Sequence, residues 1–138
     1  MTYVDVCHIY GMVRAGYVPQ LFSLRLPSPD VVYELLHKAG AGALVFDKSY
    51  EPIVTNCPVP THVALEVQPQ SAAGLPLPPV SPAVDADEVM MVFHTSGSTS
   101  GSPKLVPCNR TWLDAMIAKA YHTTKPNDAT RQDVTTWL

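Results

Sequence analysis

Charge is scarce in this chain, and basic charge is the scarcer kind. Only 15% of residues are Asp, Glu, Lys or Arg, and nine basic side chains stand against twelve acidic ones, for a net charge of −3. No Lys/Arg cluster occurs, which removes the basic face that a nucleic-acid binder needs. Long apolar runs are missing too. The longest clean one, Val89 to Phe93, falls far short of the roughly 20 residues that cross a bilayer, so no membrane span is expected. The opening "MTYVDVCHIYG" has neither a basic n-region nor a continuous apolar h-region, so no signal peptide is read and the chain is expected to be cytoplasmic. Cysteine is sparse. Cys7, Cys57 and Cys108 are odd in number, and their spacings match no zinc or redox pattern, which leaves reduced, idle thiols as the reading. His8, His37, His62 and His122 show no ligand spacing, and no metal site is assigned.

What is present is a core-forming composition, 46% apolar, on a length that suits one domain. Proline is abundant: fourteen residues, about twice the usual share, most of them between Pro52 and Pro82. "TYVDVCHIYGMVRAG" reads as an opening helix, with Thr2 and Asp5 as a weak capping box and Gly16 as its stop. "YVPQLF" is extended. "SPDVVYELLHKAG" has the strongest helical pattern: Ser28 is placed to cap, Pro29 suits the first turn, and Gly40 ends it. Val31, Val32, Leu35, Leu36 and Ala39 make its apolar stripe.

A strand is predicted over Ala43 to Phe46, a short helix over residues 50–56 and a second strand over Thr61 to Val67. Residues 68–84 form a Pro-rich loop without periodicity. A third strand, Val89 to His94, reads as buried on both faces, and "KLVP" as a short fourth. Asn109 then caps a helix over Arg110 to Tyr121, with Trp112, Leu113, Met116, Ile117 and Ala120 on its apolar side. The alternation predicts an α/β fold: a partial layered sheet, mostly parallel, with flanking helices. Residues 1–138 are read as one domain with no second domain.

Between the third and fourth strands lies "TSGSTSGSPK", Thr95 to Lys104. Small, polar and glycine-containing, it cannot build a core. It offers hydroxyls, backbone N–H groups and one lysine, the parts that hold a multiply charged anion such as phosphate. The nucleotide P-loop pattern fails, because Lys104 follows Gly101 by three residues and is followed by Leu105. The dinucleotide fingerprint fails for want of a third glycine. The nucleophile elbow comes closer, with Thr99 at the nucleophile position, but Pro103 interrupts the helix that must follow. A flexible Ser/Gly linker is the plain alternative, and the apolar strand before it and Pro-Lys after it argue against that. His94, ending a strand, reads as structural. Asp85, Asp87 and Glu88 read as solvated loop charges.

"TSGSTSGSPK" resembles the signature of the adenylate-forming superfamily: acyl-CoA synthetases, luciferases and the adenylation domains of peptide synthetases and carboxylic acid reductases. The family pattern is an apolar strand followed by Thr-Ser-Gly-Ser/Thr-Thr-Gly-x-Pro-Lys. Ser100 lengthens the loop here by one residue, and an outward bulge between Thr99 and Gly101 would accommodate it. Upstream, "GMVRAGYVPQLFSLRLPSPDVVYELLHKAGAGALV" is similar to the segment that such enzymes carry ahead of the loop. The wording "FHTSGSTSGSPKLVP" is most similar to fungal peptide-synthetase-like carboxylic acid reductases.

The resemblance implies that a carboxylic acid substrate attacks the α-phosphorus of ATP, with Mg²⁺ accompanying the nucleotide, to give an acyl-adenylate and pyrophosphate. A carrier-protein domain is implied as a further partner. By the same resemblance, Thr95, Ser96, Gly97, Ser98, Thr99, Gly101 and Lys104 bind the nucleotide phosphates, and no catalytic residue is assigned. The family's later motifs (the acyl pocket, the ribose-binding Asp segment and the hinge with its C-terminal Lys) do not occur here. The expectation is therefore a fragment of the large subdomain of an adenylating enzyme, inactive alone. The alternative is a non-catalytic module with weak nucleotide or pyrophosphate binding, or a protein-interaction role.

Overall fold

In the computed structural model, residues 3–23, 26, 28–77, 79, 85–97, 103–125 and 130 are described. The first helix, α1, spans Tyr3–Arg14 and α2 spans Pro29–Ala39. Both stop at a glycine in the left-handed region, Gly16 at φ 86° and Gly40 at φ 62°. The bonding repeats as well. Gly16 N–H donates to Val13 O and Tyr17 N–H to Met12 O; Gly40 N–H donates to His37 O and Ala41 N–H to Leu36 O. Each pair satisfies two carbonyls that the helix end would otherwise orphan. At the front of α2, Ser28 has the extended backbone of a cap, but its hydroxyl makes no capping bond. Pro29 begins the helix without a donor to satisfy and with φ already set, so less is left for a cap to do. Thr2, the other expected cap, lies outside the described residues.

Strand β1, Leu44–Phe46, pairs in parallel with β2, Thr61–Val63. The second strand is shorter than the apolar pattern to Val67 suggests. Ala64 N–H donates to Phe46 O, and β1 then gives way to a 3₁₀ turn, Lys48–Tyr50, so residues 64–67 have no ladder to join. That turn replaces the helix expected over 50–56. Asp47 caps it through the Ser49 N–H, and further turns at Ile53 and Cys57 follow, with Pro52 unable to donate to a continuing helix. Tyr33 of α2 holds this region by donating its hydroxyl to Ile53 O at 2.9 Å. A 3₁₀ turn, Pro69–Ala72, lies in the Pro-rich loop; residues 78 and 80–84 of it are outside the described set.

Strand β3, Val89–His94, forms an antiparallel hairpin with β4, Leu105–Asn109, its register irregular between Val89 and Met91. On its other side β3 takes a parallel bridge from Gln20: Val92 N–H donates to Pro19 O and Leu21 N–H to Val92 O. The strands therefore make two small sheets, one parallel and one antiparallel, rather than one mostly parallel layer. Helix α3, Arg110–Thr124, runs on past the expected Tyr121, and Asn109 caps it by accepting the Trp112 N–H at 2.9 Å. It packs on β3 and β4, with the Trp112 and Phe93 rings 5.9 Å apart, and α2 packs on β4.

Among the described residues the buried apolar side chains are Leu35, Leu36, Leu44 and Cys108, with Pro19 and Pro103. The expectation that β3 is buried on both faces is corrected: every residue from Val89 to His94 is half-buried, because a two-stranded sheet leaves much of each face open. Along the expected apolar stripes, Ala39, Trp112, Met116, Ile117 and Ala120 are exposed, and Leu113 is half-buried. Among the described residues no helix is long and apolar enough to cross a membrane.

Candidate functional site

The tip of the β3–β4 hairpin carries the serine-rich loop, and its neck is closed twice. Thr95 N–H donates to Lys104 O at 2.9 Å, and the Thr95 hydroxyl oxygen accepts the Lys104 N–H at 3.0 Å. Thr95 thus has a structural task beside any ligand contact; its hydroxyl hydrogen can still donate. Gly97 turns the chain with φ 73°, a conformation that an L side chain resists. Ser96 is exposed, Gly97 half-buried, Pro103 buried, and Lys104 exposed. Lys104 makes no ion pair among the described residues, so its charge is open to a ligand. Ser98, Thr99, Ser100 and Gly101 lie outside the described residues. The structure thus brings Thr95, Ser96, Gly97 and Lys104 to one end of the hairpin.

The acidic residues Asp85, Asp87 and Glu88 are exposed and precede β3 at its opposite end. At ~3.3 Å per residue, the strand holds them roughly 20 Å from the loop. An anion at the neck therefore meets Lys104 without a carboxylate cluster beside it. Next to the neck, His94 is engaged at both ring nitrogens: Nε2 accepts the Ser23 N–H at 3.0 Å and Nδ1 contacts Thr95 O at 2.9 Å. Phe22 stacks on the ring, with centroids 6.2 Å apart. No local pattern announces this pairing, since Ser23 and His94 are 71 residues apart. Within β4, burial pushes the Cys108 thiol up from its ordinary value, which favours its protonated form.

No family model matches the chain. It is 34% identical over 118 residues to the AMP-binding domain-containing enzyme iboA of Amanita muscaria (strain Koide BX008), covering 80% of this chain and 22% of that protein. Among solved structures, o-succinylbenzoate CoA synthetase (MenE) of Bacillus subtilis, in complex with the acyl-adenylate intermediate OSB-AMP, superposes with a TM-score of 0.68. The identity is 20%, over 92% of this chain and 32% of that one. Along this stretch the chain resembles adenylate-forming enzymes in sequence and in fold. The nonribosomal peptide synthetase FmoA3, in its α-methyl-L-serine-AMP bound form, shares the superfamily fold at a TM-score of 0.63 and 19% identity, over 88% of this chain and 12% of that one. The chain spans about a fifth of its curated superfamily relative and about a third of MenE.

Proposed function

We propose that this chain supplies the phosphate-binding loop of an ATP-dependent, carboxylate-adenylating enzyme of the peptide-synthetase-like kind. The observation that carries the reading is the doubly closed neck between Thr95 and Lys104, which holds a glycine-bent, hydroxyl-rich loop at the tip of a hairpin. Charge builds on the β- and γ-phosphates as pyrophosphate departs, and fixed donors aimed there lower the barrier. Thr95, Ser96, Ser98 and Thr99 offer hydroxyls; Gly97 and Gly101 let backbone N–H groups converge; Lys104 brings an exposed positive charge. This donor set fits a polyphosphate. Among the described residues no three His, Cys, Asp or Glu side chains form a metal site, so Mg²⁺ would arrive on the phosphate oxygens, where it neutralises charge. A carboxylic acid is the second substrate, a carrier-protein domain the acceptor, and the cytoplasm the compartment.

ATP–pyrophosphate exchange, measured on the intact polypeptide that carries this chain with a panel of carboxylic acids, tests the reading. Acid-dependent exchange is expected from the intact protein and none from the 138 residues alone. The thin core, with few buried apolar side chains among the described residues, favours a second reading of the isolated chain: a non-catalytic module that holds nucleotide or pyrophosphate weakly or makes a protein contact. Pyrophosphate binding by the intact polypeptide, without exchange for any acid, would select that second reading.

A further inference from the structure

We infer that His94 is a positioning residue for the loop: its ring sets the direction of the first loop N–H, that of Ser96. The inference rests on the phosphate-binding reading above. A backbone N–H only donates, so the Ser23 N–H facing Nε2 at 3.0 Å requires a lone pair on that nitrogen. The proton then sits on Nδ1, which donates to Thr95 O at 2.9 Å. The two contacts together select a single tautomer of the ring. Its place in the ladder explains the arrangement. Segment Pro19–Leu21 pairs with Val92, and that pairing does not continue to His94 as a backbone bridge. Instead the His94 side chain takes the Ser23 N–H, and Phe22 stacks on its ring.

The consequence falls on the loop. Thr95 is fixed on its amino side by Lys104 O and on its carbonyl side by His94. The Thr95 carbonyl and the Ser96 N–H belong to one planar peptide, so holding the first aims the second. Gly97, at φ 73°, then bends the chain immediately beyond. Without the His94 donor, the Thr95–Ser96 peptide can rotate, and the Ser96 N–H loses its aim at the phosphates.

The test uses the intact polypeptide. Selective ¹⁵N-histidine labelling should show His94 as the Nδ1–H tautomer; an Nε2–H tautomer overturns the inference. In steady-state kinetics, His94→Leu should raise KM for ATP by roughly fivefold or more, the worth of one hydrogen bond, with a smaller change in kcat. His94→Asn, whose amide can stand in for Nδ1–H, should recover most of that loss, and His94→Gln, which reaches toward Ser23 instead, should recover less. Unchanged KM in a folded His94→Leu variant overturns the inference, and so do equal losses in the Asn and Gln variants. Lys104→Ala in the same assay separates the two layers. If Lys104→Ala is harmless, the phosphate reading fails, and the inference falls with it whatever the tautomer. If Lys104→Ala is damaging and His94→Leu harmless, only the inference fails.

Discussion

At the scale of the residue, function here depends on how few groups do several things. Thr95 closes the neck with its N–H and its hydroxyl oxygen, and Lys104 returns both bonds through its backbone while its side chain is exposed. That division predicts separable effects. Lys104→Ala keeps the neck, since the backbone groups remain, and removes only the charge. Pyrophosphate exchange in the intact polypeptide should fall by roughly 10²–10³ with no loss of melting temperature, the usual scale for deleting one preorganised transition-state donor. Exchange at the wild-type rate would refute the assignment of Lys104. The motif stands out in the sequence because its pattern is local, glycines, hydroxyls and a lysine in a fixed order, and its phosphate-binding role is the proposal made above. His94 was legible only as structural, because the partner that defines it comes from a segment distant in the chain.

A second residue-scale prediction concerns Asp47. The Ser49 hydroxyl, and then the Ser49 N–H, hold its carboxyl below the ordinary value of 3.8. The folded value is depressed, so the cap stabilises the turn at neutral pH, above the ordinary value. It loses that contribution as the pH falls through the folded value. Asp47 is solvent-exposed, so the readout is local: the Ser49 amide chemical shift should titrate with a midpoint below the ordinary carboxylate value. Ser49→Ala should bring that midpoint up, and an unmoved midpoint would show that the serine does not hold the carboxylate.

At the scale of the element, helices and strands were legible to different degrees for a physical reason. A helix carries its own stop and start: Gly16, Gly40 and Asn109 act within a few residues of themselves, and each ends or begins its helix where the sequence places it. A strand's length depends on its partner. Thr61 to Val67 is strand-like throughout, yet only Thr61–Val63 pairs, because β1 has already turned away. Burial is harder still, since it depends on what lies across the sheet, and the half-buried β3 shows it. Capping gives a paired prediction. Asn109→Ala removes a bond that is formed and should cost about 1 kcal/mol in urea unfolding. Ser28→Ala removes a hydroxyl that caps nothing and should change stability by no more than about 0.5 kcal/mol. Equal losses at the two sites would mean that Ser28 caps in solution after all.

At the scale of the whole molecule, surface outweighs core. Among the described residues, large apolar side chains lie open to solvent along much of the chain. Leu65 and Leu77 are 81% and 82% exposed, and Met116, Ile117 and Tyr121 leave one flank of α3 open. Among the described residues β1, β2 and β4 each pair along one edge only, and other chains can join such edges. With little apolar area removed from water, the hydrophobic gain that must offset chain entropy is small. The 138 residues in isolation should therefore bind a dye that reports exposed apolar surface, self-associate with rising concentration, and unfold over a broad range of temperature. Replacing Met116 and Ile117 together by Gln should reduce association while leaving α3 helical, since glutamine keeps helix propensity close to that of methionine. Sedimentation and circular dichroism on the pair of proteins provide the check: a dye-silent monomer with one sharp transition would mean that these apolar faces find cover within the chain itself.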